Sequence, residues 1–423
     1  MADAPGSPHD LLGHVRPGAR LVVPLANGEP VSLLDALEDA VDDLRDVTIH
    51  QMHALHDRAY LRGERRDHLR HVSYFLSHVT RPHFHAGGLD LVPAHFSEVP
   101  QLVEHRGGAD MVLAAAAPMD AHGYFSLGTN ADYVAGLVGR VPFYLEVNAA
   151  MPRTFGRNQV HVSQVAGWTE VDRPLVEVPP HEPGEIDVRI AEFVAERVED
   201  GDTLQVGIGA IPNAILARLR HLHDLGLHTE LLADGVIDLV ESGALTGVAK
   251  RSGRNKHVTT FALGTQRLYD WMHDNASVEL WPVEHVNDPR TVAREDGFVS
   301  INATTEVDLL GQCASETVQG RYWSGSGGQS DFARGALYAE RGRGFVVTRS
   351  TARGGELSRI VGRLSRGSVV TTLKNTVDHV VTEFGVAELR GRSIRERAEA
   401  LIAIAHPDHR DWLRGQATAL AYI

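Results

Sequence analysis

Short apolar runs broken by glycine and proline alternate along the chain with stretches whose apolar residues recur at helical spacing. Arg20-Leu21-Val22-Val23-Pro24-Leu25 reads as a short buried strand, and Leu34, Leu37, Val41 and Leu44 predict a helix over 33–44. Further strand-like runs cover 110–115 and 141–147 in the first half, and 203–208, 225–231, 298–302, 344–348 and 369–371 in the second. Ile215, Leu216, Leu219 and Leu222 place a helix over 212–222. This alternation predicts an α/β fold with central, largely parallel sheets. Pro174, Pro179, Pro180 and Pro183 crowd one stretch that lacks backbone donors and favours extended chain, so the domain boundary is expected there, giving 1–183 and 184–423. Asp120 to Gly123 and Asp308 to Gly311 repeat an Asp-x-x-Gly pattern at equal distances from a strand, an echo that fits a duplicated domain.

Composition narrows the classes. A chain of 423 residues exceeds one ordinary core. A net charge of −14 with no long basic run argues against a nucleic-acid or anionic-membrane partner. Cys313 has no second cysteine to pair with, no apolar run approaches the roughly 20 residues that span a bilayer, and the first residues show no signal-peptide pattern. A cytoplasmic protein is the expectation.

Three segments carry candidate chemistry. Gly207-Ile208-Gly209-Ala210-Ile211 joins a strand to a helix that starts near Pro212; glycines there let a ligand approach backbone N–H groups, and an ordinary strand-to-helix turn is the bland alternative. Glu230 lies at the end of the 225–231 strand, where open α/β sheets place their ligand crevice, and reads as a reactive or an ion-paired carboxylate; Asp234 follows as the cap of the next helix. The glycine cluster Gly325, Gly327 and Gly328 suits a loop laid against a ligand, anchored on a core by Trp323 and Phe332. Glu306 and Asp308 alternate on one strand face and read as structural. The many histidines, densest over 51–85, show no metal-ligand spacing beyond His83 and His85, so no metal site is expected.

Together with these segments, Gly28-Glu29-Pro30, Pro118 to Gly128, Glu146-Val-Asn148, Met151 to Thr154, Asn287-Asp288-Pro289, Glu306 to Gln312, Ser350 to Gly355 and Val381 to Ala387 make the chain resemble the acetyl-CoA hydrolase/transferase family, in particular its 4-hydroxybutyrate and butyrate CoA-transferases. The resemblance implies two NagB/RpiA/CoA-transferase-like domains and a nucleophilic Glu230, with Asn287 beside the reacting carbonyl. It further implies coenzyme A contacts at Gly207, Ile208, Gly209, Ala210, Ile211, Gly327, Gly328 and Arg353. Coenzyme A enters as substrate with no permanently bound cofactor; the partners implied are an acyl-CoA and a short-chain carboxylate, in a homodimer or higher homo-oligomer. Arg353 and Glu356 stand where the family commonly has lysines. The competing readings are an acyl-CoA hydrolase using the same glutamate, a non-catalytic CoA-binding protein, and a metal-dependent hydrolase.

Overall fold

Leu21, Val22 and Val23 are fully buried because strand Arg20–Val23 sits inside a sheet covered on both faces. The structure, a computed structural model describing residues 4–423, resolves into two units: the chain up to Pro179 together with Val258–Val286, and Pro180–His257 together with Asn287–Ile423. In the first unit the strands run in the order Val165–Val171, Phe143–Asn148, Met111–Ala116, Arg20–Val23, Val47–Gln51, Leu69–Ser73 and Asp90–Leu91, all parallel. In the second unit the order is Gly385–Glu388, His379–Thr382, Arg343–Val347, Phe298–Ala303, Thr203–Val206 and Gly226–Leu232, parallel except for the hairpin formed by the first two.

The two sheets share a plan. Each unit's opening strand lies between the next strand in sequence and one that returns later: Val47–Gln51 and Met111–Ala116 flank Arg20–Val23, while Gly226–Leu232 and Phe298–Ala303 flank Thr203–Val206. The Asp-x-x-Gly echo belongs to this plan. Asp120 Oδ1 accepts from the N–H groups of His122 and Tyr124 at 2.8 and 2.9 Å, and Asp308 Oδ1 from those of Leu310 and Gln312 at 3.0 and 2.9 Å. Each turn ends on a left-handed glycine, Gly123 at φ +84° and Gly311 at φ +88°.

Some expectations change. The 33–44 helix forms as Val31–Asp39 and continues only as a 3₁₀ turn at Val41–Asp43; Glu38, Asp39, Asp42 and Asp43 put negative charge at its C-terminal end, against the macrodipole. The 212–222 helix forms as Ala210–Arg218. Asp234 precedes helix Gly235–Glu241 but makes no side-chain cap bond. Residues 369–371 are not a strand: the neighbouring contact is one isolated bridge between Cys313 and Thr372, and Thr371 Oγ1 accepts from Ser315 N at 2.9 Å. Their β-branched composition fits any half-buried surface, and no ladder partner lies alongside. The proline-rich stretch up to Gly184 is irregular, yet a single cut there misses Val258–Val286, which packs with the first unit. That excursion leaves and returns at ordinary strand and helix ends, with no linker composition to mark it.

The first unit takes part of the histidine-rich region into its interior. Burial lowers His50 and His53 to about 4 and His71 to about 3, so all three stay neutral, His50 and His71 inside the core and His53 at its edge. Beside them Glu29 is buried; burial pushes its carboxyl up, but His56, Arg58 and the Leu55 N–H outweigh that and hold it below its ordinary value. Buried Arg58 bonds Glu29 at 3.3 Å, Asp35 at 2.7 Å and Glu38 at 3.2 Å. We expect Arg58→Met to cost about 3–5 kcal/mol in denaturant unfolding, since it strands Glu29. The double change Arg58→Met with Glu29→Gln should restore a measurable part of that loss.

Candidate active site

Glu230 is placed by two elements of the second unit. Strand Gly226–Leu232 buries Leu227, Leu231 and Leu232, and its alternation puts Gly226, His228 and Glu230 on one face. Helix Gln329–Tyr338 covers that face: Phe332 stacks on Phe298 with centroids 6.2 Å apart and planes 4° from parallel, and Phe298 is in register with Thr203, which is in register with Gly226. The helix start therefore arrives at Glu230. A Cβ at Gly328 would stand 1.9 Å from Glu230 Oε2 and 2.3 Å from Asn287 Nδ2, so any larger residue there would displace the carboxyl or the amide that holds it. Gly327 turns into it at φ +55°.

The carboxyl is gripped and strained electrostatically at once. Asn287, fully buried, donates from Nδ2 to Glu230 Oε2 at 2.7 Å, and the Gly328 N–H donates to the same carboxyl. Burial is the largest influence and pushes Glu230 up; the Asn287 bond pulls it down, the negative Asp331 in the first helical turn pushes it up, and the Gly328 bond pulls it down. The balance is about 7, against an ordinary value of 4.5. Although the side chain keeps some exposure, its carboxyl end lies in the packed region, and the shift follows that end. A carboxyl poised near neutrality marks a candidate reactive group.

The first glycine loop stands beside it. Thr229 Oγ1 accepts from Val206 N at 3.3 Å and donates to Val206 O at 3.1 Å, tying the end of Thr203–Val206 to the strand that carries Glu230. Gly207 follows; a Cβ there would meet nothing within 4 Å. Gly209 has φ +127°, closed to other residues, and Ala210 and Ile211 open the helix, while Ile208 is exposed. Arg353 does not join this group: it lies on an exposed turn at φ +52° and donates to Gln319 at 3.0 Å. Glu306 is tethered elsewhere, accepting from Ser365 N at 3.0 and 3.1 Å, Ser365 Oγ at 2.5 Å and Ser368 Oγ at 3.2 Å, which is a structural role. Phe332 anchors its segment in the core, whereas Trp323 is half exposed. Sequence reasoning missed Asp331, because an acid in a first helical turn reads equally well as a partner of the helix dipole. Among the described residues no group of three or more His, Cys, Asp or Glu side chains converges to hold a metal ion.

Comparison with known proteins gives a consistent family. The acetyl-CoA hydrolase/transferase N-terminal domain matches residues 6–179 and the C-terminal domain residues 264–417. The chain is 44% identical to the succinyl-CoA:cyclohexane-1-carboxylate CoA transferase of Geobacter metallireducens, over 98% of this chain and 94% of that one. It is 40% identical to the 4-hydroxybutyrate coenzyme A transferase of Clostridium kluyveri, over 94% of this chain and 93% of that one. The crystal structure of RipA from Yersinia pestis superposes with a TM-score of 0.93 at 36% identity, covering 99% of this chain and 98% of that one.

The shifted carboxyl sets a pH-dependent stability. With its folded value raised from 4.5 to about 7, Glu230 holds its proton more tightly in the folded than in the unfolded chain, so stability is full below about 4.5 and falls as pH rises toward 7. Glu230→Gln removes that penalty. It should melt at a higher temperature than the wild type at pH 8 and at nearly the same temperature at pH 4.5, measured by calorimetry.

Proposed function

Because the chain belongs to the acetyl-CoA hydrolase/transferase family, we propose that it is a CoA-transferase, moving coenzyme A between a short-chain acyl-CoA and a free carboxylate, with Glu230 as its nucleophile. The observation that carries the assignment is the strand-end carboxyl of Glu230, held by Asn287 and the Gly328 N–H and ionisable near neutrality.

The ionised carboxylate attacks the thioester carbonyl; the C–S bond breaks, releasing CoA thiolate and leaving an acyl-glutamyl anhydride. The thiolate then adds to the glutamyl carbonyl, and the acyl carboxylate departs with the bonding pair, leaving a glutamyl-CoA thioester. An acceptor carboxylate runs the same steps backwards, with no net proton exchanged. Dividing the exchange this way predicts ping-pong kinetics. The donors that hold the resting carboxylate are already placed for the oxyanion that forms on the glutamyl carbon, each worth about 3 kcal/mol by comparison with other oxyanion holes. Gly209 and Ala210 N–H groups at the neighbouring helix start are the donors assigned to the acyl carbonyl. Leu231 and Leu232 keep the strand end apolar, which favours transfer over hydrolysis. A reducing compartment such as the cytoplasm would suit the lone, buried Cys313.

Three measurements test this reading. Glu230→Ala should reduce transfer to background with the fold intact, while Glu306→Ala should lower stability and retain transfer; wild-type rates in Glu230→Ala would sink the assignment. The log of kcat/KM should rise with slope near one up to about pH 7 and then level, because only the ionised carboxylate attacks. Borohydride should inactivate the enzyme only after exposure to acyl-CoA without acceptor, with the reduced residue mapping to Glu230; rapid spontaneous loss of the trapped thioester would shift the reading to a hydrolase.

A further inference from the structure

Next to Glu230, on the same sheet face, lies a polar ladder that the chemistry above leaves unused. Register carries that face from Gly226, His228 and Glu230 to Thr203 and Gln205, and from these to Phe298, Ser300 and Asn302. Ser300 Oγ donates to Gln205 Oε1 at 3.0 Å, and Asn302 Nδ2 donates to the same oxygen at 3.0 Å and to Ser300 Oγ at 2.9 Å. Gln205 Nε2 donates to Asn302 Oδ1 at 3.2 Å. Gln205 and Ser300 are buried, and Asn302 is half-buried at the open end of the ladder.

The fold does not require polarity here. The two units share their sheet plan, and matching registers makes Val22, Val112 and Ala114 of the first unit the counterparts of Gln205, Ser300 and Asn302. All three counterparts are buried and apolar. A polar trio on one copy of a duplicated frame therefore has another use.

Its unspent valences say which. Both N–H groups of Asn302 and both lone pairs of Gln205 Oε1 are taken. One lone pair on Asn302 Oδ1 and one N–H of Gln205 remain side by side, an acceptor next to a donor, which complements a hydroxyl. Continuing the register places Gly207 beside Asn302, and the space above Gly207 is open. Two strand spacings, about 10 Å, separate the Cα atoms of Glu230 and Asn302. An extended chain of four bonds spans about 5 Å, and a hydrogen bond adds about 3 Å. An oxygen on the third or fourth carbon of a Glu230-bound acyl group reaches the ladder.

We propose that Asn302, positioned by Gln205 and Ser300, is a specificity-determining residue that receives a hydroxyl on the third or fourth carbon of the acyl chain. It selects hydroxyacyl chains over unsubstituted ones, and over chains ending in a carboxylate, which would meet the Asn302 acceptor with no cation in the ladder. The inference rests on the transferase reading with Glu230 as nucleophile. The test compares kcat/KM for 4-hydroxybutyryl-CoA, butyryl-CoA and succinyl-CoA with acetate as acceptor, in the wild type, Asn302→Leu and the milder Asn302→Ala, which guards against a folding defect in the leucine variant. The ratio of hydroxybutyryl to butyryl should fall about tenfold in both variants. Ser300→Ala should lower it by a smaller factor. A structural defect would depress both donors together, so an unchanged ratio, or a wild type that prefers succinyl-CoA, overturns the proposal while the transferase reading stands. A wild type that moves CoA from none of these donors overturns the transferase reading, and this inference with it.

Discussion

The absence of a side chain at position 328 is the condition on which the candidate site depends. Any larger residue would collide with Glu230 Oε2 and with Asn287 Nδ2 at once, so either the helix would lift from the sheet or the carboxyl would swing away. The stacked pair Phe298 and Phe332, both fully buried, fixes the helix at the other end of its contact and leaves little slack for such a shift. Packing energy far from the carboxyl thus sets a hydrogen-bond geometry at the carboxyl. This is how a rigid element holds a reactive group within the tolerance that catalysis demands.

The same closeness creates an electrostatic conflict that the site keeps rather than resolves. An arginine or lysine against Glu230 would remove the burial penalty and drop its carboxyl far below neutrality, leaving a poor nucleophile. Asn287 and the Gly328 N–H supply direction without a full opposing charge, and Asp331 adds repulsion. Glu29 shows the other solution within the same chain: more deeply buried than Glu230, it meets Arg58 and His56 and falls below its ordinary value. One carboxyl is held ionised and the other is poised near neutrality, and the partner chosen makes the difference.

Much of this was legible in the residues. The residue pattern put Glu230 at a strand end and left a reactive and an ion-paired carboxylate both open, the nucleophile being implied only by the family resemblance. Glu306, by contrast, read as structural because its alternation with Asp308 put it on a strand face, where Ser365 and Ser368 bind it. The Asp-x-x-Gly echo was legible because the turn needs both an acceptor side chain and a left-handed glycine, which leave a mark in sequence. The excursion of Val258–Val286 to the first unit was not, since tertiary partnership leaves no local signature. Trp323 misled because bulk alone does not decide burial; its segment is anchored through Phe332 instead. Asp331 acts on Glu230 through space, across a strand and a helix distant in sequence, and no spacing rule reports that.

The duplicated plan also shows why the candidate nucleophile has no counterpart in the first unit. Matching registers puts Met52 of the first unit at the place of Glu230, and Pro24 at the place of Gly207. Met52 is buried, and Pro24 offers no N–H and fills the space a glycine leaves open. The first unit therefore has the sheet but neither the strand-end carboxyl nor the open floor beside it. Its motif residues have turned to holding backbone: Asp120 clasps its turn and bonds Arg153 at 2.7 Å, and Asn148 accepts from the N–H groups of Ala150 and Arg173. Fold alone does not build the candidate site, because two copies of one plan differ in it through a few positions at the ends of adjacent strands.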